Sequence, residues 1–440
     1  MGRHWHTLTV GSFVAVALLT APAAALAQGP ARGAERQVTF TKDVAPILQR
    51  SCQVCHRPGA IAPMSLLTYD DARPWARSIR QKVVSRAMPP WTLDRTVGIQ
   101  KFKDDRSLPE KDVETIVKWV DGGTQRGNPA DMPPPRAFPD QSKWTLIPVL
   151  GEPDMVIPIP EPFVLDANAP NMWIDLFAEQ QIPKDRWVRA FETKPSAEGF
   201  AVVHHASTWR ITGAEDDGVQ FGEYALGKTG DVYPEGSAVL LKAGTRFRFN
   251  MHYAPNGKTT TDRTSLAIWF YPEGYVPKHK QIRQGVGGVS DLDLPPGEAN
   301  IRNDGYKILT DNIRLTAFQP HLHSRGKRQC LEAIFTDGRV ETLNCVNWDF
   351  GWHITYNYAD EVEPLLPKGT ILHVITWHDN SKANKWNPDP RNWVGYGQRT
   401  GDDMAFAWLT WYVLPDTEFR AAVKDRREAI SKAAVSKASR

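Results

Sequence analysis

The stretch 320–404 places the strictest condition on the fold. It opens Pro320-His321-Leu322-His323-Ser324-Arg325 and ends Gly401-Asp402-Asp403-Met404. On an extended strand side chains alternate faces, so His321 and His323 point the same way and can share one metal. Bringing the Met404 thioether to that ion requires the residues between to fold back as hairpins. Two imidazoles and a thioether suit copper, Cu(I) above all, better than a hard oxygen-preferring ion. The rest of the body agrees with strands. From residue 144 onward, runs such as 144–150, 155–159, 266–271 and 371–377 alternate with Pro, Gly, Asn and Asp turns. No helical period persists until the tail, and 34 Pro suit short strands and loops rather than long helices.

At 440 residues the chain has room for several domains and a sizeable core. Lys and Arg (53) nearly balance Asp and Glu (50), so no nucleic-acid footprint is expected. The first residues read as an address. Arg3, His4 and His6 form a polar start, 10–19 an apolar core, and Ala25-Leu26-Ala27 a small-x-small cleavage site. Residues 1–27 are therefore expected to be a signal peptide, with the mature chain starting at Gln28 and exported to the periplasm. That apolar core is too short to span a bilayer, and no later run is long enough, so no membrane span is expected.

Cys52-Gln53-Val54-Cys55-His56 has the C-x-x-C-H pattern that attaches one c-type haem. Cys52 and Cys55 would form thioethers to the porphyrin, with His56 as the proximal iron ligand. A zinc site would want a second Cys/His pair nearby and a redox motif a βαβ context, and neither is present. Helical patterns at 41–49, 71–85 and 109–120 flank the motif. Together these resemble a class I cytochrome c domain over 38–128. The resemblance implies a methionine distal ligand, for which Met88, held by Pro89-Pro90, is preferred to Met64 or Met132. A Pro-rich run, 129–143, reads as a semi-rigid linker.

Two more histidine groups lie in the strand-rich body. His204-His205 are adjacent, so in a regular strand they face opposite sides and joint metal binding demands a bulge or a strand end. His252 sits in the alternating run Phe247-Arg248-Phe249-Asn250-Met251-His252-Tyr253. Three imidazoles make a second copper site. The order His204-His205, His252-Tyr253, His321-Leu322-His323, Asp402-Asp403-Met404 resembles the copper type II, ascorbate-dependent monooxygenases, the peptidylglycine α-hydroxylating and dopamine β-monooxygenase family, over about 150–415. The resemblance implies two jelly-roll-like sandwiches, at 144–275 and 276–415, facing one another across a cleft. It also implies two copper ions. His204, His205 and His252 would store an electron, while His321, His323 and Met404 would bind O2 beside a small-molecule substrate. The expected fold class is thus multidomain, a small all-α cytochrome c domain followed by two all-β jelly-roll-like sandwich domains.

Departures from that family bear on the substrate. Positions that in peptide-amidating members hold a substrate carboxylate read Gln319, Phe406 and Trp408 here, which argues against peptide amidation. Phe406 and Trp408 suit an apolar or aromatic substrate, or else simply fill the core. The attached haem suggests that electrons from an external donor enter through it. Cys330 and Cys345 flank the turn Thr336-Asp337-Gly338-Arg339 and fall opposite each other when counted outward from it. A disulfide is expected, with a bulge or a longer loop in the hairpin; a thiolate copper ligand is the competing reading. His279, His353 and His373 are assigned structural roles, 377–381 and 387–390 are read as loop braces, and 416–440 as a basic helical tail. An exported haem and copper electron-transfer protein without turnover is the rival reading. A copper nitrite reductase is disfavoured, because neither Cys330 nor Cys345 has a nearby His on its C-terminal side.

Overall fold

Alternating apolar residues broken every few positions by turn formers build a molecule made mostly of strands. The computed structural model describes residues 36–438 apart from 59, 61, 104, 139, 141–142, 214–217, 226–229, 288–290, 398 and 400. The chain divides into Met1–Gln37 and one compact unit, Val38–Arg440. The expected signal peptide and its cleavage site lie outside the described residues.

In the first half of the β body a four-stranded sheet runs in the order Met172–Phe177, Arg246–Tyr253, Val203–Ile211, Val219–Ala225. Its inner residues, among them Phe221, Phe247 and Phe249, pack on Ile157, Phe191, Leu266 and Ile268 of the facing strands. In the second half Ile301–Ile308, Ile371–His378, Gly326–Ile334 and Val340–Asn347 form another four-stranded sheet. Leu331, Leu372 and Val374 from that sheet meet Leu315, Phe318 and Leu409 from Ile313–His321 and Phe406–Val413. The halves are continuous through one ten-stranded sheet, because Ser237 and Ala238 pair in parallel with His279 and Lys280. A polar network crosses the same junction. Arg283 donates to Gln220, Gln319 and Thr410, and Gln319 in turn donates to Glu223 at 2.7 Å.

The expected fold class, with a separate all-α cytochrome c domain ahead of two sandwiches, is overturned. Helical turns do form at Phe40–Val44, Ala45–Ser51, Tyr69–Ala72, Ala76–Val84 and Glu110–Asp121, but the longest has 12 residues. They gather a local core around Phe40, Leu48, Ile116 and Trp119. The chain between them then leaves the helices and enters the β body. Trp91, Leu93 and Phe102 are buried in the core of the second half, and Leu93 and Phe102 bridge to Val346 and Tyr358. Asn344 donates to the Ile99 carbonyl, and Arg328 pairs with Asp94 at 2.8 Å. The physical reason is burial: Trp91, Leu93 and Phe102 are large apolar side chains on a loop, and the sandwich supplies the apolar surroundings they need. Helices and sheets therefore belong to one unit.

The Pro-rich stretch lies against the first helical segment, where Arg136 donates to the Gln49 carbonyl and Gln49 to the Pro134 carbonyl. Cys330 and Cys345 are disulfide-bonded directly across a hairpin, with a register shift between Leu331 and Glu332 that supplies the expected bulge. The tail forms one helix, Asp416–Ala438, whose Glu418 meets Lys278 and His279. No helix among the described residues is long and apolar enough to cross a membrane.

Trp91 tests this integration. It is 5% exposed and meets Tyr356 edge to face at 4.8 Å. Trp91→Ala is expected to destabilise the whole β body by about 3–5 kcal/mol. Denaturant unfolding followed by the far-ultraviolet strand signal checks this, and an unchanged midpoint would refute it.

Candidate metal centre

His205 and His252 are cross-strand partners, and the pairing passes from Val203–Tyr253 to His205–His252, skipping His204. The skipped residue is a bulge, and it swings His204 round towards its neighbour. The ligand-bearing atoms of His204, His205 and His252 consequently lie within 4.8 Å of one another. His252 Nδ1 stands 3.2 Å from His205 Nε2. Two nitrogens each about 2.0 Å from a four-coordinate ion are separated by about 3.3 Å, so the pair is already spaced as ligands. His252 Nε2–H donates to Asn171 Oδ1, which leaves its Nδ1 lone pair directed at His205 Nε2. Trp173, directly opposite in register, stacks on the His252 ring at 3.9 Å. The Nδ1 atoms of His204 and His205 are buried without hydrogen-bond partners. At the end of the His252 strand, Tyr253 donates to the buried Asp262 carboxylate at 2.8 Å.

The second set is organised by Asp403, which is fully buried. Its carboxylate accepts from the backbone N–H groups of His323 at 2.8 Å, Arg325 at 2.9 Å and Met404 at 2.9 Å. His378 Nε2 lies 3.0 Å from the Met404 carbonyl and 3.3 Å from Asp403 Oδ1. Burial raises the Asp403 pKa, but His378 and the His323 backbone N–H outweigh it and hold the carboxyl below its usual range. The strand ends at His321. His323 is thus aligned by Asp403 and by donation from its Nδ1 to the Asp402 carbonyl at 3.1 Å, not by the strand alternation expected. The His321 and His323 rings meet edge on at 5.6 Å. Met404 arrives beside them because Phe406–Val413 pairs with Ile313–His321, with Phe406 opposite His321.

Both sets open on one cavity of about 640 Å³, with His205, His321, His323 and Met404 all in its wall. Trp173, Ser207, Trp209, Arg248 and Asn250 line one side of it, on the same sheet that carries His205 and His252. Gln319, Phe406 and Trp408 line the other. Phe406 and Trp408 are therefore cavity wall, and Phe406 also stacks on His321 at 4.7 Å. Gln319 is already engaged with Arg283 and Glu223 and offers no cation.

His353, assigned a structural role above, stands between the two sets in the same wall. It stacks on His205 at 4.8 Å and faces His321 at 5.8 Å. It lies in a loop, where no period marks a face, and its only local sign is the aromatic company of Trp348, Phe350 and Trp352. His279 pairs with Glu418, and His373 with Asp304 and Glu332, so these two are structural. His378 and Asn380 are buried braces: Asn380 accepts from Arg325 Nε at 2.8 Å and donates to the Leu294 carbonyl.

Cys52 and Cys55 are not bonded to each other. Burial, then the neighbouring Cys55, pushes the Cys52 thiol up to about 12, and burial raises Cys55 as well. His56 Nδ1 lies 3.3 Å from the Met64 carbonyl, which leaves Nε2 available to a ligand. Thioether attachment with His56 as axial ligand fits these residues. Met88 is held by its backbone N–H on the Lys82 carbonyl, in the turn after Ala76–Val84.

No protein-family model matches the chain, and no curated protein matches it. Among solved structures, the major capsid protein P2 from bacteriophage PM2 is 9% identical with a TM-score of 0.27, over 60% of this chain and 98% of that one. The STIV MCP is 8% identical with a TM-score of 0.27, over 60% of this chain and 98% of that one. Scores this low carry no structural or functional argument.

Burial, followed by neighbouring imidazoles, lowers the pKa of His252 to about 2 and of His205 well below the usual value. Burial lowers His204 to about 4 and His353 to about 3. An unfolded chain, with histidines near about 6.5, therefore binds more protons than the folded one below that pH. Metal-free protein is expected to lose stability as pH falls from about 6.5 towards 4. Urea midpoints across that window check the slope, which should flatten in His204→Phe; a parent midpoint independent of pH there would rule the effect out.

Proposed function

We propose that the chain is an exported, periplasmic dicopper monooxygenase that hydroxylates a C–H bond of a small apolar or aromatic substrate with O2. Electrons would enter from an external donor through a covalently attached haem. The observation that carries the reading is the convergence of two ligand sets of different chemistry on one cavity, His205 with His252 and His204 behind it, and His321 with His323 and Met404. The order of those motifs, which resembles the copper type II monooxygenases, supports the same reading.

His204, His205 and His252 would hold one copper, and His321, His323 and Met404 the other. Copper so held supplies one-electron redox chemistry and dioxygen activation, and a haem on Cys52 and Cys55 supplies electrons. The chain's own residues do the positioning. Asp403 sets the backbone of His323 and Met404 before any ligand arrives, and Asn171 and Trp173 fix the plane of His252. Trp173, Trp209, Phe406 and Trp408 offer apolar faces to a substrate body, while Ser207 and Asn250 offer polar groups to orient it. A volume of about 640 Å³ falls within the range of small-molecule sites, about 300–1,000 Å³. His56 and Met88 would be the axial iron ligands.

Metal and haem content per chain tests this in the purified protein. Two coppers and one haem are expected, with His252→Ala and His323→Ala each losing one copper. Oxygen uptake with reductant and aromatic substrates should follow the full complement. Haem and copper without oxygen uptake would leave an electron-transfer protein, and absence of copper would sink the proposal.

A further inference from the structure

His353 is 8% exposed, yet its Nε2 has no hydrogen-bond partner. A buried imidazole nitrogen with no partner and a free lone pair is available as a metal ligand. His323 likewise keeps its Nε2 available, with Nδ1 on the Asp402 carbonyl. Trp348, edge on at 4.9 Å, and Phe350 at 6.1 Å confine the His353 ring.

The ring's relation to its neighbours indicates which set it joins. His353 and His321 have centroids 5.8 Å apart and planes at 65°. His321 and His323 have 5.6 Å and 72°. Towards His205 the relation differs: the planes are 23° apart, face to face at 4.8 Å. Rings stacked this way pack against each other, whereas steeply inclined rings can converge their nitrogens on an ion between them. Among the described residues only His204, His205 and His252 have ligand atoms all within 4.8 Å of one another, so His353 would have to draw closer to His321 and His323 as copper binds.

We propose that His353 Nε2 is a third imidazole ligand of the His321, His323 and Met404 site, giving that site three nitrogens and one thioether. This rests on the dicopper reading above. Imidazole is a good ligand for both oxidation states of copper, so the added nitrogen would help the site keep its ion when oxidised. Its stacking on His205 would also set the two sites back to back.

The test uses full-length His252→Ala protein, in which only the second site remains to be filled. It is loaded with copper, and the nitrogen donors are counted by X-ray absorption and by electron paramagnetic resonance. Three imidazoles are expected, falling to two in His252→Ala/His353→Gln, with copper affinity lowered about tenfold or more. Two imidazoles in the His252→Ala protein would overturn the inference and leave the dicopper reading standing. No bound copper in that protein would overturn both. A donor lost on His353→Gln in a His323→Ala background would assign His353 to the other site and also overturn the inference. The count in His252→Ala alone decides the matter should the double variant fail to fold.

Discussion

The buried carboxylate of Asp403 is the constraint on which the second half of the site depends. A charged group with no exposure is tolerable only when its lone pairs are filled, and here backbone N–H groups from two separate segments fill them. The same contacts bind the turn after His321 to the residues that lead into Phe406–Val413. His378 closes the arrangement from a third strand. Removing the carboxylate would release both His323 and Met404, although Asp403 is not itself in the wall of the cavity they line. The acidic residue before the methionine is thus a structural clasp whose effect is felt at the ligands.

A comparable logic operates in the first half with different parts. A one-residue bulge at His204 converts two adjacent histidines, which regular pleating would set on opposite faces, into neighbours of His252. The ordinary alternation of the next residues then lays Ser207, Trp209, Asn250 and Arg248 along the cavity. The two halves face one cavity because they are not free to part. One sheet runs through both, and Arg283, Gln220, Gln319 and Glu223 link them by hydrogen bonds in a largely buried layer. Such a network is costly to leave half satisfied, which favours a single relative placement.

Much of the local structure was legible in the residues. The need for a bulge at His204-His205 follows from the two-residue period of a strand, and the Cys330–Cys345 pairing from counting outward along a hairpin. The helical turns also fall close to their sequence patterns. The helices do not stand apart as a domain, because Trp91, Leu93 and Phe102 are buried among strands more than two hundred positions away. Strand alternation does not align His323, since the strand stops two residues earlier. The place of His353 between the two sets is not legible in the residues, because a loop histidine has no periodic pattern to betray its partners.

The sequence by itself determined which chemistry is available: imidazoles and a thioether suited to copper, paired thiols ahead of a histidine, and strand-length runs to carry them. Those are properties of side chains and of short-range backbone geometry, which neighbours along the chain dictate. Only the tertiary structure decided that the histidine groups share one cavity, that Asp403 clasps the second of them, that His353 stands between them, and that the helices are part of the β body. Each of these depends on burial and hydrogen bonding between residues far apart in sequence, and local periodicity carries no record of such pairings.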